Sequence, residues 1–188
     1  MTDGNRDIKR RIDEVITAVY REKSINPWSK RRAHSEKYEK LFRTKLSEWP
    51  LRNQTDFEHG GATAISFLLH PGHVHGVPTR DGLETRINRL GGACYQALLE
   101  ISHLGPFARV RFTLETFDRE TGDLAYDERE SPIRTQDYHF LLSLRLLLLE
   151  ENIEILDREL LEELVPDVQL DVTRLGNVTV YHCLFDEE

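Results

Sequence analysis

The segment Phe107 to Phe117 constrains the fold more than any other stretch of this sequence. Ala108, Val110, Phe112 and Leu114 alternate with Arg109, Arg111, Thr113 and Glu115. A period of two puts the apolar set on one side of an extended chain and the charged set on the other. A strand with one dry and one wet face belongs in an antiparallel sheet. Asp118 to Asp123, with Thr121-Gly122, predicts a turn, and Leu124 to Asp127 the returning strand. Ala62 to Leu69 is short, apolar and bounded by turn residues, so it reads as a buried strand.

Helices account for the flanks. Ile8, Ile12, Val15, Ile16, Val19 and Tyr20 recur every three or four residues and predict a helix over 7–23. A second helix is predicted from Arg32 to Glu48, with Tyr38, Leu41, Phe42, Lys45, Leu46 and Trp49 on one face and Pro50 as its stop. Together they predict an N-terminal helical pair, 1–49, packing on a body of residues 50–188. Residues 50–62 are polar and read as a loop, and His70 to Gly82 as another. A helix is expected from Leu83, or from the Gly91-Gly92 pair, to Leu104, where Gly105-Pro106 halts it. Asp137 to Val165 is rich in Leu and Glu and predicts helix, capped by Asp137 and divided near Glu150-Glu151-Asn152. Val168, Leu170 and Val172, the Gly176-Asn177 pair, then Val178, Val180, His182 and Leu184 predict a last hairpin. Strands and helices do not alternate regularly. The expected fold is therefore α+β, a mostly antiparallel sheet covered by helices, rather than a doubly wound parallel sheet.

Composition bounds the function. The chain of 188 residues has one-domain length, and its two cysteines exclude a disulfide scaffold. No run of 18 apolar residues exists, the N-terminus has no secretory h-region, and reduced thiols are expected, so the reading is cytoplasmic. Residues 1–49 hold 13 Lys+Arg against 8 Asp+Glu, while the remainder holds 12 against 25. The net charge of −8 and pI near 5.5 speak against nucleic-acid binding and for an acidic surface that engages a protein partner.

Two segments carry residue types suited to chemistry. In His70-Pro71-Gly72-His73-Val74-His75-Gly76, three imidazoles fall within six residues. On extended backbone His73 and His75 point to one side, so His70, His73 and His75 could hold a divalent transition metal such as Zn or Fe. His59, His103 and Glu84 are further candidate ligands. In Gly91-Gly92-Ala93-Cys94, a helix starting at the glycines would put Cys94 in its first turn, where the dipole lowers a thiol pKa. Leu90-Gly91-Gly92-Ala93-Cys94-Tyr95-Gln96, with Leu98-Leu99 and Phe107-Ala108-Arg109-Val110 beyond, resembles the nucleophile segment of arylamine N-acetyltransferases and the related transglutaminase-like proteins. That resemblance implies a cysteine acyl-transfer enzyme with Cys94 as nucleophile, His139 as its base and Asp157 behind it.

Three readings therefore stand. The first is a small acidic binding or regulatory protein that engages a partner. The second is a metal-binding protein or metal-dependent enzyme built on the histidine loop. The third is an acyl-transfer enzyme built on Cys94. The first predicts an exposed patch that is apolar or strongly acidic. The second demands converging ligands, and the third an imidazole within reach of Cys94.

Overall fold

A computed structural model describes residues 3–24, 30–58, 60–70, 87–118, 121, 123–170, 173 and 175–186. The elements run α1 (Asp3–Ile16), a π-helical turn (Thr17–Arg21), α2 (Arg31–Lys45), β1 (Leu51–Asn53), β2 (Ala62–Leu68), β3 (Ala93–Ser102), β4 (Phe107–Phe117) and β5 (Leu124–Arg129). After a 3₁₀ turn come α3 (Tyr138–Glu150), β6 (Glu154–Ile155), α4 (Arg158–Leu161) and α5 (Val180–Phe185). The fold is α+β, with helices packed on the sheet.

The sheet is an antiparallel meander in the order β1-β2-β3-β4-β5, each strand paired with its sequence neighbours. β6 adds to β4 in parallel, Phe107 opposite Glu154, below the stretch of β4 that pairs with β5. The alternation of β4 is realised: Ala108, Val110 and Phe112 lie in the main core cluster, and Arg109 and Arg111 face the other way.

The apolar face joins Ile65 and Phe67 of β2, Ala97, Leu99 and Ile101 of β3, and those β4 residues. α2 adds Tyr38, Phe42 and Leu46; α3 adds Phe140, Leu141, Leu144, Leu147 and Leu148. Phe140 is the hub, its ring 5.0 Å from Phe67, 5.2 Å from Trp49 and 6.5 Å from Phe112. A second cluster covers one end of the opposite face. Ile12 and Ile16 of α1 pack there with Phe107, Leu161, Val180 and Leu184. The Tyr20 hydroxyl donates to the Cys183 carbonyl at 2.7 Å, and Arg21 pairs with Asp167.

Several expectations change. The two N-terminal helices enter different clusters, so each packs on the body by itself. The segment expected to be a helix ending at Leu104 is β3, the central strand, bonded to β2 and β4 along its length. Its Ala, Leu and Glu favour helix in isolation, but two ladders and burial override propensity. Gly91 and Gly92 do start the element, as a turn with φ of +85° and +98° that residues with a Cβ rarely adopt. The polar 50–62 segment contains the short strand β1. The long Leu/Glu helix stops at Glu150, where Asn152 takes a positive φ of +57°, and gives way to β6 and α4. Asp137 stands at the start of α3 but caps no backbone N–H; its carboxylate takes the Arg134 guanidinium at 2.7 and 2.8 Å.

Among the described residues, which leave out Val172, the C-terminal hairpin does not form. Val180–Phe185 is a helix, closed by a capping box in which Thr179 accepts from the His182 N–H and the His182 ring accepts from the Thr179 N–H. Val180, Cys183 and Leu184 are buried at helical spacing, so His182 and Cys183 do not lie on opposite sides of a strand.

Candidate functional site

The histidine loop is described only at its first residue. His70 follows β2, and its Nε2 accepts the Tyr95 N–H at 3.1 Å. Burial, then the nearby Arg134 guanidinium, holds the ring below its ordinary pKa. That nitrogen thus serves the backbone of β3. Beside it Arg134 lies over the Tyr95 ring, 3.8 Å from its centroid, and donates to the Leu69 carbonyl. His73, His75, His59 and Glu84 lie outside the described residues. Among the described residues no three His, Cys, Asp or Glu side chains are grouped to hold a metal.

Cys94 is fully buried on β3, opposite Glu115 of β4. It sits in a strand, so no helix dipole acts on its thiol. His139 is exposed in the first turn of α3, its ring 5.6 Å from Trp49. Asp157 caps α4, its carboxylate accepting the Leu160 N–H at 2.9 Å. Cys94 and Cys183 are both free thiols. Burial pushes the Cys183 thiol up to about 12.

Two polar clusters were not anticipated. In the first, Thr63 of β2 lies between two imidazoles: its Oγ1 is 3.1 Å from His34 Nδ1 on α2 and 3.1 Å from His103 Nε2 after β3. The two rings stand edge to face with centroids 5.1 Å apart. Burial, with Lys37 near His34 and with His34 and Arg31 near His103, lowers both pKa values to about 4. Both rings are neutral at pH 7, and the chain of bonds ties α2, β2 and the end of β3 together.

The second cluster occupies the wet face. Arg111 lies 3.3 Å from Glu100 and 2.9 Å from Glu128; Arg109 lies 3.6 and 3.7 Å from the same carboxylates. Tyr181 of α5 donates to Glu100 at 3.3 Å and carries the Arg109 guanidinium 4.7 Å above its ring. Tyr126 of β5 donates to Glu128 at 2.7 Å. Burial and neighbouring carboxylates push both phenols up to about 12. Two acids meet two bases, so the cluster is charge-balanced. It fastens α5 and β5 to the sheet.

The most unusual surface is on α3. This helix is apolar on its outer face as well as its inner one. Phe140, Leu141, Leu144, Leu147 and Leu148 face the sheet, yet Tyr138, Leu142, Leu146 and Leu149 are 47%, 59%, 63% and 71% exposed. At about 100° per residue those four span about 80° of the helix, a continuous outer stripe. Arg145 and Glu150, both exposed, border it. A groove of about 460 Å³ runs beside the stripe, between α3 and the β6–α4 turn. Leu141, Leu148 and Ile153 line it, Arg145 and Leu149 form one lip, and Glu130, Glu154 and Asp157 stand around the other. An apolar outer face on a helix whose inner face is already packed is ordinarily covered as well. The outer leucines were legible in the Leu141–Leu149 run: no helix lying on one sheet can bury every face.

No protein-family model matches the chain, and neither a curated protein nor a solved structure is significantly similar to it.

Proposed function

We propose that this protein is a binding module that docks another polypeptide on the outer face of α3. One observation carries the reading: Leu142, Leu146 and Leu149 form an exposed stripe on a helix whose inner face is already fully packed. Exposed leucines scattered singly are ordinary; a contiguous apolar patch beside a groove marks an interaction surface. Each leucine left in water forgoes about 1–2 kcal/mol that a partner would recover. The reading needs no catalytic group, and it accommodates the charge-balanced wet face as a scaffold. Two buried free thiols suit a reducing compartment, so the proposed location is the cytoplasm.

The test compares wild type with Leu146→Glu/Leu149→Glu. Because both positions are exposed, the variant should keep its stability within about 0.5 kcal/mol. A hydrophobic dye should bind wild type and not the variant. In paired affinity captures from the native cells, some protein should be retained by wild type and lost on the variant. Identical captures and identical dye binding would remove the α3 face from consideration.

A further inference from the structure

The surroundings of the stripe indicate what covers it. Glu130, Glu154 and Asp157 stand on the far lip of the groove, and Glu150 closes the opposite edge. Glu130, Glu150 and Glu154 form no ion pair among the described residues, and the one such guanidinium beside them is Arg145. The other arginines nearby are occupied: Arg109 lies between Glu100 and Glu128, and Arg158 pairs with Glu162 at 2.6 Å. The apolar strip is thus rimmed by three carboxylates without an ion pair among the described residues, Glu130, Glu150 and Glu154, and by Asp157, which accepts the Leu160 N–H. The stripe covers about 80° of the helix surface and is flanked by the groove.

Resting on the docking reading above, we infer that the occupant of the α3 face is an amphipathic helix with basic edges. Its apolar residues, spaced three and four apart, would lie along Leu142, Leu146 and Leu149 and enter the groove floored by Leu141, Leu148 and Ile153. Lysines or arginines flanking that row meet Glu130, Glu154 and Asp157 on one side and Glu150 on the other. This is helix-in-groove recognition, in which apolar anchors supply affinity and rim charges supply register and partner choice.

The experiment uses the full chain and three labelled probe peptides of about 18 residues, long enough for five helical turns. One is a Leu/Lys peptide with leucines at helical spacing. The second replaces its lysines with glutamates. The third keeps the Leu/Lys composition but scrambles the spacing. Fluorescence anisotropy should show the first binding at least about tenfold more tightly than either other. Leu146→Glu/Leu149→Glu should weaken it by about tenfold or more. Glu130→Gln/Glu154→Gln should weaken it by about threefold or more and flatten its salt dependence, since rim charges are screened. Leu142→Gln/Leu146→Gln gives a milder second pair if the glutamates perturb folding. Equal binding of Leu/Lys and Leu/Glu helices, lost in Leu146→Glu/Leu149→Glu, would keep the docking face and overturn the basic occupant. Binding of the Leu/Lys peptide that ignores both the leucine variants and the scrambling would overturn both, leaving only attraction to an acidic body.

Discussion

On one face of the sheet Phe67, Leu99, Val110 and Phe112 meet Phe42 and Phe140; on the other, the same strands set Glu100, Arg109, Arg111 and Glu128 against one another. The first face is held by shape. Aromatic rings cross at edge-to-face and tilted angles around Phe140, and any hydrophobe of the right volume serves. The second is held by pairing. Its groups are half-buried or deeper and stay tolerable only while both signs are present, because low-dielectric surroundings penalise an unpartnered charge. Burying leucines is favourable whatever their neighbours, whereas Glu100 is favourable only beside Arg109 and Arg111. The difference locates where the molecule tolerates change and where it does not.

The largest effect should come from the face held by shape. Phe140→Ala opens a cavity among Phe67, Phe112 and Trp49 and should lower unfolding stability by about 3–5 kcal/mol. An unfolding free energy from urea titration within about 0.5 kcal/mol of wild type would mean that the helix re-seats and Phe140 is no hub. Next is Glu100→Ala, which leaves two guanidiniums to Glu128 alone and should cost about 2–3 kcal/mol, discounted because both arginines keep some contact with water. Glu100→Leu with Arg111→Leu should cost clearly less than Glu100→Ala. If the double replacement is the worse of the two, the wet face is held by packing like the dry one, and the comparison fails.

The smallest effect per ring and per pH unit concerns the polar exception on the dry face. His34 and His103 stay neutral in the fold down to about pH 4 but protonate near 6.5 once unfolded. Between those values the unfolded chain binds more protons, so stability is full above about pH 6.5 and falls as pH drops toward 4. The steepest loss is at most about 1.4 kcal/mol per pH unit for each ring. Melting temperatures across pH 7 to 4 should show this decline, and His34→Gln/His103→Gln should flatten it. An unchanged slope in that pair would assign the acid sensitivity to carboxylates such as Glu128, whose arginines and Tyr126 hold its pKa low.

Much of the architecture was legible because local pattern and burial agree. The alternation of β4 and the stripes of α1 and α2 each encode one face, and the structure buries that face. Reading failed where a second partner intervened. β3 carries helix-forming Ala97, Leu98, Leu99 and Glu100, but lies between two strands whose ladders no local window contains. Val178 and Val180 imitate alternation, while the Thr179–His182 reciprocal cap that starts α5 is a signal spanning four residues of the chain. Cys94 drew attention through the glycines before it, which turn the chain into a strand. The His34–Thr63–His103 contact spans residues 29 and 40 positions apart and has no local signature at all. The wet-face cluster was half visible, since Arg109 and Arg111 were expected on one side; Glu100 and Tyr181 were hidden by the misread elements that carry them.

The way α1 is held has a consequence for synthesis. Its mates are Leu161, Val180 and Leu184, and its π-helical turn is tied to Cys183 and Asp167. Ile16 and Val180 are roughly 160 residues apart, which a ribosome covers in about 10–30 s. Through that interval β1 to β5, α2 and α3 can assemble around Phe140 as they emerge, because each strand's partner is the one just made. α1 emerges before each of these mates and completes its packing only when α5 is made. Until α5 appears, Ile12 and Ile16 have Phe107 and Leu161 to pack against but neither Val180 nor Leu184, so α1 stays incompletely covered while most of the chain is made.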